Sequence, residues 1–221
     1  MLIKQIQSTS TTSIRFKNKM NNDKKIQRST TTKYDRYPHL YKHSVKSIKK
    51  QTKPVIVLCF GCSTGEEPYT LITKYLSPDD FIYAIDTNQE AIKEAKQRNS
   101  HSQIKYLTNI AEIPEHIGFD LITANSVLCR HPESTQTDCL KEIFPFSLFE
   151  EAVNKLDSHL KKNGIITIWN ANYLFTDTKI SEKYAPIKIP NLDNSGFVQK
   201  FNSFCRKIEK NYEYSIFRKL E

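Results

Sequence analysis

The chain has 221 residues, 38% of them apolar and 26% charged, a balance that fits one globular domain with a tail. No apolar run reaches the roughly eighteen residues that a membrane span needs. Its five cysteines form an odd set without disulfide-framework spacing. With no signal-peptide core ahead of the domain, they point to a reducing compartment, and the expected location is the cytoplasm.

The net charge of +9 is unevenly spread. Residues 1–53 hold fourteen Lys and Arg against Asp23 and Asp35, whereas the remainder holds nineteen against twenty-two acids. The basic segment reads as a solvated tail, with contact to nucleic acid or an anionic surface as the alternative. Residues 1–33 are rich in Ser, Thr, Lys, Asn and Gln. They bury too little apolar surface to offset the entropy of ordering, so a disordered tail is expected there and a single domain over 34–221. An acid-free start with Arg15, Lys17 and Lys19 also overlaps in composition with organelle import segments.

Aromatics then cluster at Tyr34, Tyr37 and Tyr41, followed by Val45 and Ile48 at helical spacing. This is the pattern of a packing helix, or of a lead-in lying over a ligand mouth. Val55–Phe60 is an apolar run of strand length, as expected for a parallel strand covered on both faces. Glu66–Tyr75 predicts a helix, with Pro68 tolerated in its first turn. Phe81–Ile85 predicts a second strand, and the Thr87/Glu90 spacing predicts a capping box opening a helix with Ala91, Ile92 and Ala95 on one face. Ile104–Leu107 and Phe119–Ala124 follow as strands. A helix carrying Leu148, Val153, Leu156 and Leu160 is expected to stop near Gly164, before a strand at Ile165–Trp169. Tyr212–Arg218 suits a last strand near a sheet edge. This alternation predicts an α/β fold: a doubly wound, mostly parallel sheet with helices on both faces.

The turn after the first strand reads Gly61-Cys62-Ser63-Thr64-Gly65 and runs into Glu66, Glu67, Pro68 and Tyr69. In open α/β sheets ligands sit beyond the carboxyl ends of the strands, where this turn lies. Asp86 ends the next strand twenty-one residues after Gly65, the place from which a carboxylate grips a ribose diol. Loop and acid together imply an adenosine-bearing ligand. A dinucleotide loop would carry glycines at Ser63 and Glu66, and the two glutamates would repel a pyrophosphate. S-adenosylmethionine offers an ammonium and a sulfonium instead, so the acidic pair favours it as cofactor.

The nine residues Gly61–Tyr69 resemble the cofactor motif of the chemotaxis-receptor (CheR-type) methyltransferases. Phe81–Asp86 and Phe119–Leu128 are similar to that family's second and fourth strands, and Leu160–Ile168 to the fifth strand of class I methyltransferases generally. The resemblance implies a Rossmann-like class I methyltransferase domain whose acceptor, a protein carboxylate or a small molecule, the sequence leaves open; a non-catalytic S-adenosylmethionine-binding module and an RNA methyltransferase using the basic tail are the alternatives. It implies that Gly61, Ser63, Gly65 and Glu67 line the methionine end of the cofactor, with Cys62, Thr64 and Thr87 also among its contacts. Asp86 would bind the ribose, Asn109 would lie near the adenine, and Asn125 and Ser126 would face the transferred methyl group. The chain departs from the family in reading Asn125-Ser126-Val127 where Arg-Asn-Val is usual. It also offers few residues before the first strand for the family's N-terminal helical domain, and no evident receptor-docking insert.

Other candidates are weaker. Cys59 and Cys62 form a C-x-x-C, read as packing residues rather than a redox pair. Arg130 and His131 follow the fourth strand, and Asn172 and Tyr173 follow the fifth; each could hold an acceptor or simply pack. No set of residues has zinc-ligand spacing, so no metal is expected. Methyl transfer needs alignment more than a strong acid or base, so the lack of a catalytic dyad excludes nothing.

Overall fold

A computed structural model describes residues 26–27, 29–48, 54–192, 195–209 and 214–221. The elements that position the cleft are helix α1 (Pro38–Ser47), strand β1 (Ile56–Phe60), and helix α2 (Glu66–Thr70), which runs on as a π-turn through Leu71–Tyr75. There follow β2 (Phe81–Ile85), α3 (Gln89–Arg98), β3 (Ile104–Leu107), β4 (Phe119–Asn125), α4 (Phe146–His159) and β5 (Leu160–Trp169). The chain ends with β6 (Tyr184–Ile187), a small β7–β8 hairpin (Lys200–Phe201, Lys207–Ile208) and β9 (Ile216–Lys219).

Seven strands form one sheet in the order β3-β2-β1-β4-β5-β9-β6. Neighbours among β1 to β5 pair in parallel, and β9 is antiparallel to both β5 and β6. The order reverses direction between β1 and β4, which opens a crevice beyond their carboxyl ends. Because side chains alternate along a strand, β1 feeds both faces. Val57 and Cys59 pack with Leu40 and Tyr41 of α1, Leu71 of the π-turn and Ile92 and Ala95 of α3. Leu58 packs on the other face with Phe149, Val153 and Leu156 of α4. The expected α/β, doubly wound, mostly parallel sheet is the architecture observed.

Several boundaries differ from expectation. The cap of α3 is Asn88, not Thr87: its side-chain oxygen accepts from the backbone N–H groups of Glu90 and Ala91. Helix α4 ends at His159 and Leu160 already belongs to β5, where it pairs with Phe119. Gly164 therefore lies within a strand. The irregular register there is tied by Lys161 Nζ, 2.9 Å from Asp120 Oδ2. β9 begins at Ile216 and lies inside the sheet; the edge belongs to β6, which Pro186 disguises in the sequence because proline suits only a sheet edge. Residues 1–25 of the expected tail lie outside the described residues. Ile26, Gln27 and Ser29–Lys33 are described, and most of them line the cleft.

Two glycines fix the turn after β1. Gly61 and Gly65 have φ of +78° and +89°, a region that penalises any side chain. A Cβ on Gly65 would sit 2.7 Å from the Tyr106 hydroxyl and 3.0 Å from Ala95 Cβ of α3. Gly65→Ala is therefore expected to lower stability by about 2 kcal/mol and the thermal midpoint by roughly 4–8 °C. An unchanged melting curve would contradict this geometry.

Candidate functional site

The crevice at the carboxyl ends of β1, β2 and β4 holds a cavity of about 550 Å³. Its floor is the turn after β1. Gly61 and Cys62 both donate their backbone N–H groups to Ile85 O, at 2.8 and 2.9 Å, which draws the turn onto the end of β2. Ser63, at φ +49°, then donates its N–H to Asp86 Oδ2 at 2.8 Å. Asn88 N–H donates to Asp86 Oδ1, also at 2.8 Å. The Asp86 carboxylate is thus fixed by two backbone donors while it lines the cavity, and each oxygen keeps a lone pair for a ligand hydroxyl.

Glu67 supplies the second acid. Its Oε1 accepts from Thr123 Oγ1 at 2.5 Å; its Oε2 accepts from Asn125 Nδ2 and from the Tyr41 hydroxyl, each at 3.1 Å. Burial raises its pKa above the ordinary carboxylate value, and the three donors oppose that rise. A carboxylate so enclosed is a site for a cation that brings its own charge to the cavity. Glu66, by contrast, is buried and accepts from Thr64 Oγ1 at 2.7 Å.

Of the residues expected to meet the cofactor, Gly61, Cys62, Ser63, Glu67, Asp86, Thr87, Asn109, Asn125 and Ser126 line this cavity. Thr64 and Gly65 do not line it; Gly65 serves the turn and the close approach of α3. Asn109 also caps a short helical turn, accepting from Ala111 N–H at 3.0 Å. None of the four catalytic candidates lines the cavity. Asn172 is fully buried and bridges chain segments, accepting from Arg130 N–H and donating to Gln199 O. Tyr173 donates to Phe144 O within the core. Arg130 is buried, and His131 sets its ring edge-on to Phe197, centroids 5.2 Å apart. Cys59 and Cys62 are buried and free, and burial pushes both thiols far above their ordinary value, which leaves them unreactive.

Of the two readings of the Tyr34–Tyr41 segment, a packing helix or a lead-in over a ligand mouth, the second fits the opposite wall, and sequence reasoning assigned Gln27, Thr30 and Arg36 no part in it. Gln27, Thr30, Arg36, Tyr37 and Tyr41 close the cavity from the N-terminal side. Thr30 O accepts from Ser63 Oγ at 2.8 Å, and Asp35 is anchored to Thr70, Lys74 and Tyr75. The four-residue spacing of Tyr37 and Tyr41, one at the start of α1 and one within it, was the available signal. Among the described residues no group of His, Cys, Asp and Glu could hold a metal ion, and no helix is long and apolar enough to cross a membrane.

A family model described as a methyltransferase domain matches residues 51–220. Solved structures share the fold. A protein of Clostridium thermocellum, provisionally assigned as an rRNA methylase, has a TM-score of 0.52 at 15% identity, over 86% of this chain and 98% of that one. NodS, an N-methyltransferase of Bradyrhizobium japonicum WM9 solved with S-adenosylhomocysteine, has 0.51 at 16% identity, over 83% and 87%. The precorrin-6y C5,15-methyltransferase of Geobacter metallireducens GS-15 has 0.50 at 14% identity, over 86% and 94%. At such identities the likeness is one of fold, and the acceptors of these proteins do not transfer. With the family match over most of its length and the cavity at the sheet's reversal point, this chain belongs to the methyltransferase domain family, as a class I S-adenosylmethionine-dependent enzyme.

Proposed function

We propose that the cavity holds S-adenosylmethionine in a CheR-like manner and that the protein methylates a carboxylate or a small molecule in a reducing compartment such as the cytoplasm. The observation that carries this reading is the placement of two acids in one cavity: Asp86 at the end of β2 and Glu67 at the start of α2. Asp86 would accept from the ribose hydroxyls. Glu67 would take the ammonium of the methionine end, and Gly61 to Ser63 would let the backbone approach between them. Phe60, Ile85 and Val127 give apolar walls, and Thr87 and Asn109 offer polar edges toward the adenosine. When bound, the cofactor supplies an electrophilic methyl group; the chain's own task is alignment and exclusion of water.

Calorimetry with S-adenosylhomocysteine and with methylthioadenosine, which lacks the amino-acid end, separates the two roles. Glu67→Gln should weaken S-adenosylhomocysteine by about tenfold and leave methylthioadenosine unchanged, whereas Asp86→Asn should weaken both by about tenfold. A wild-type protein that binds neither ligand would remove the reading.

The raised pKa of Glu67 gives a pH dependence. Without ligand, burial holds the Glu67 pKa above the ordinary carboxylate value, and a ligand ammonium favours the ionised form and would lower it. Affinity for S-adenosylhomocysteine is therefore expected to fall as pH drops through that raised value, with proton release on binding in the same window. Titrations in buffers of different ionisation enthalpy check this, and Glu67→Gln should flatten the dependence.

A further inference from the structure

Where β4 and β5 end, three polar side chains from distant parts of the chain meet. Ser126 Oγ lies 2.6 Å from the Tyr37 hydroxyl. The Asn170 amide donates to both, at 2.9 Å to Ser126 and 3.2 Å to Tyr37. Each member is held in place. Asn170 is fully buried, and its Oδ1 accepts from Phe197 N–H at 2.8 Å, which turns the NH₂ toward the two hydroxyls. Ser126, at φ +58°, donates its backbone N–H to Trp169 O at 2.7 Å. The Tyr37 ring packs against Trp169 and Tyr41.

Hydrogen counting gives the cluster a direction. The Asn170 amide nitrogen reaches both hydroxyl oxygens, and one hydroxyl hydrogen spans the contact between Tyr37 and Ser126. The second hydroxyl hydrogen has no acceptor among the described residues, and Tyr37 and Ser126 both line the cavity. Burial raises the Tyr37 pKa, so the phenol keeps its proton. The cluster also adjoins the amino-acid end of the proposed site, since Asn125, one residue before Ser126, donates to Glu67.

We propose that Tyr37 and Ser126 form the seat for the methyl acceptor, presenting one O–H to an oxygen nucleophile, with Asn170 as the positioning residue behind them. This rests on the cofactor reading above. An atom that accepts the hydrogen must keep another lone pair for displacement. Carboxylate and hydroxyl oxygens do, whereas a neutral amine has a single lone pair that the hydroxyl would occupy. In the step an oxygen lone pair forms the C–O bond as the C–S bond breaks, and sulfur leaves with that pair as the thioether. A carboxylate releases no proton; a hydroxyl acceptor gives its proton to water.

Sinefungin tests the placement without knowledge of the acceptor, because an amine-bearing carbon replaces its sulfonium and methyl group. Tyr37→Phe, which keeps the ring packing, and Ser126→Ala should each weaken sinefungin by about tenfold while S-adenosylhomocysteine stays within about twofold. Asn170→Ser should reproduce this selective loss. Equal losses for both ligands in all three variants would overturn the seat while leaving the cofactor site standing; a wild type binding neither ligand would overturn both. Tritiated methyl transferred from S-adenosylmethionine to a cell extract then reports the acceptor class. Methanol released by mild alkali (an ester) or an alkali-stable ether supports an oxygen acceptor, and methylamine products overturn it.

Discussion

The site depends on the closure of the turn after β1 onto the end of β2. Two successive backbone N–H groups share one carbonyl, Ile85 O, and the next is captured by the Asp86 side chain. This is possible only with left-handed backbone at Gly61 and Ser63. At Gly61 a Cβ would lie 2.4 Å from Val127 Cγ2. The same three donors set the height of the cavity floor, fix the Asp86 carboxylate and start α2 so that Glu67 faces inward. Sheet pairing and ligand geometry are therefore one set of hydrogen bonds.

The second constraint is electrostatic. Glu67 takes its hydrogen bonds from Thr123, Asn125 and Tyr41, and the Arg36 guanidinium reaches it only through space, as the weakest of the influences that lower its pKa. An ionised carboxylate without a cation partner is destabilising in a buried place even when hydrogen-bonded. On the proposed reading, a ligand that brings an ammonium would relieve that cost. A nicotinamide dinucleotide would bring negative charge to the same place and raise it.

Much of this was legible in the sequence because it is local. Val55–Phe60, the spacing of Gly61 and Gly65, and Asp86 at a strand end are read within some thirty residues, and run length together with helical periodicity separates the strands from the helices. What escaped reading is long-range or disguised. Asn88 displaced Thr87 as cap because both residues suit the role. Pro186 hid an edge strand, and an irregular register carried β5 back to Leu160. Asn172 and Tyr173 looked like site residues because they follow a strand end, yet contacts with Arg130, Gln199 and Phe144 turn them into the core. The composition of residues 26–33 gave no hint that they would line a cavity, since the bonds from Gln27 to Cys129 and from Thr30 to Ser63 span 102 and 33 positions.

The two ends of the cavity consequently have different physical origins. The adenosine side is built by neighbours in sequence and forms once β1 and β2 pair. The far side exists only when residues 26–41 lie across the strand ends, since its bonds join Tyr37 to positions 89 and 133 residues away. A set of long-range hydrogen bonds can be altered member by member without disturbing the strand that carries the cofactor loop. On the proposed reading a change at Tyr37, Ser126 or Asn170 acts on the acceptor end, while Tyr41 and Thr30 of the same segment reach Glu67 and Ser63 and so couple that wall to the cofactor loop as well.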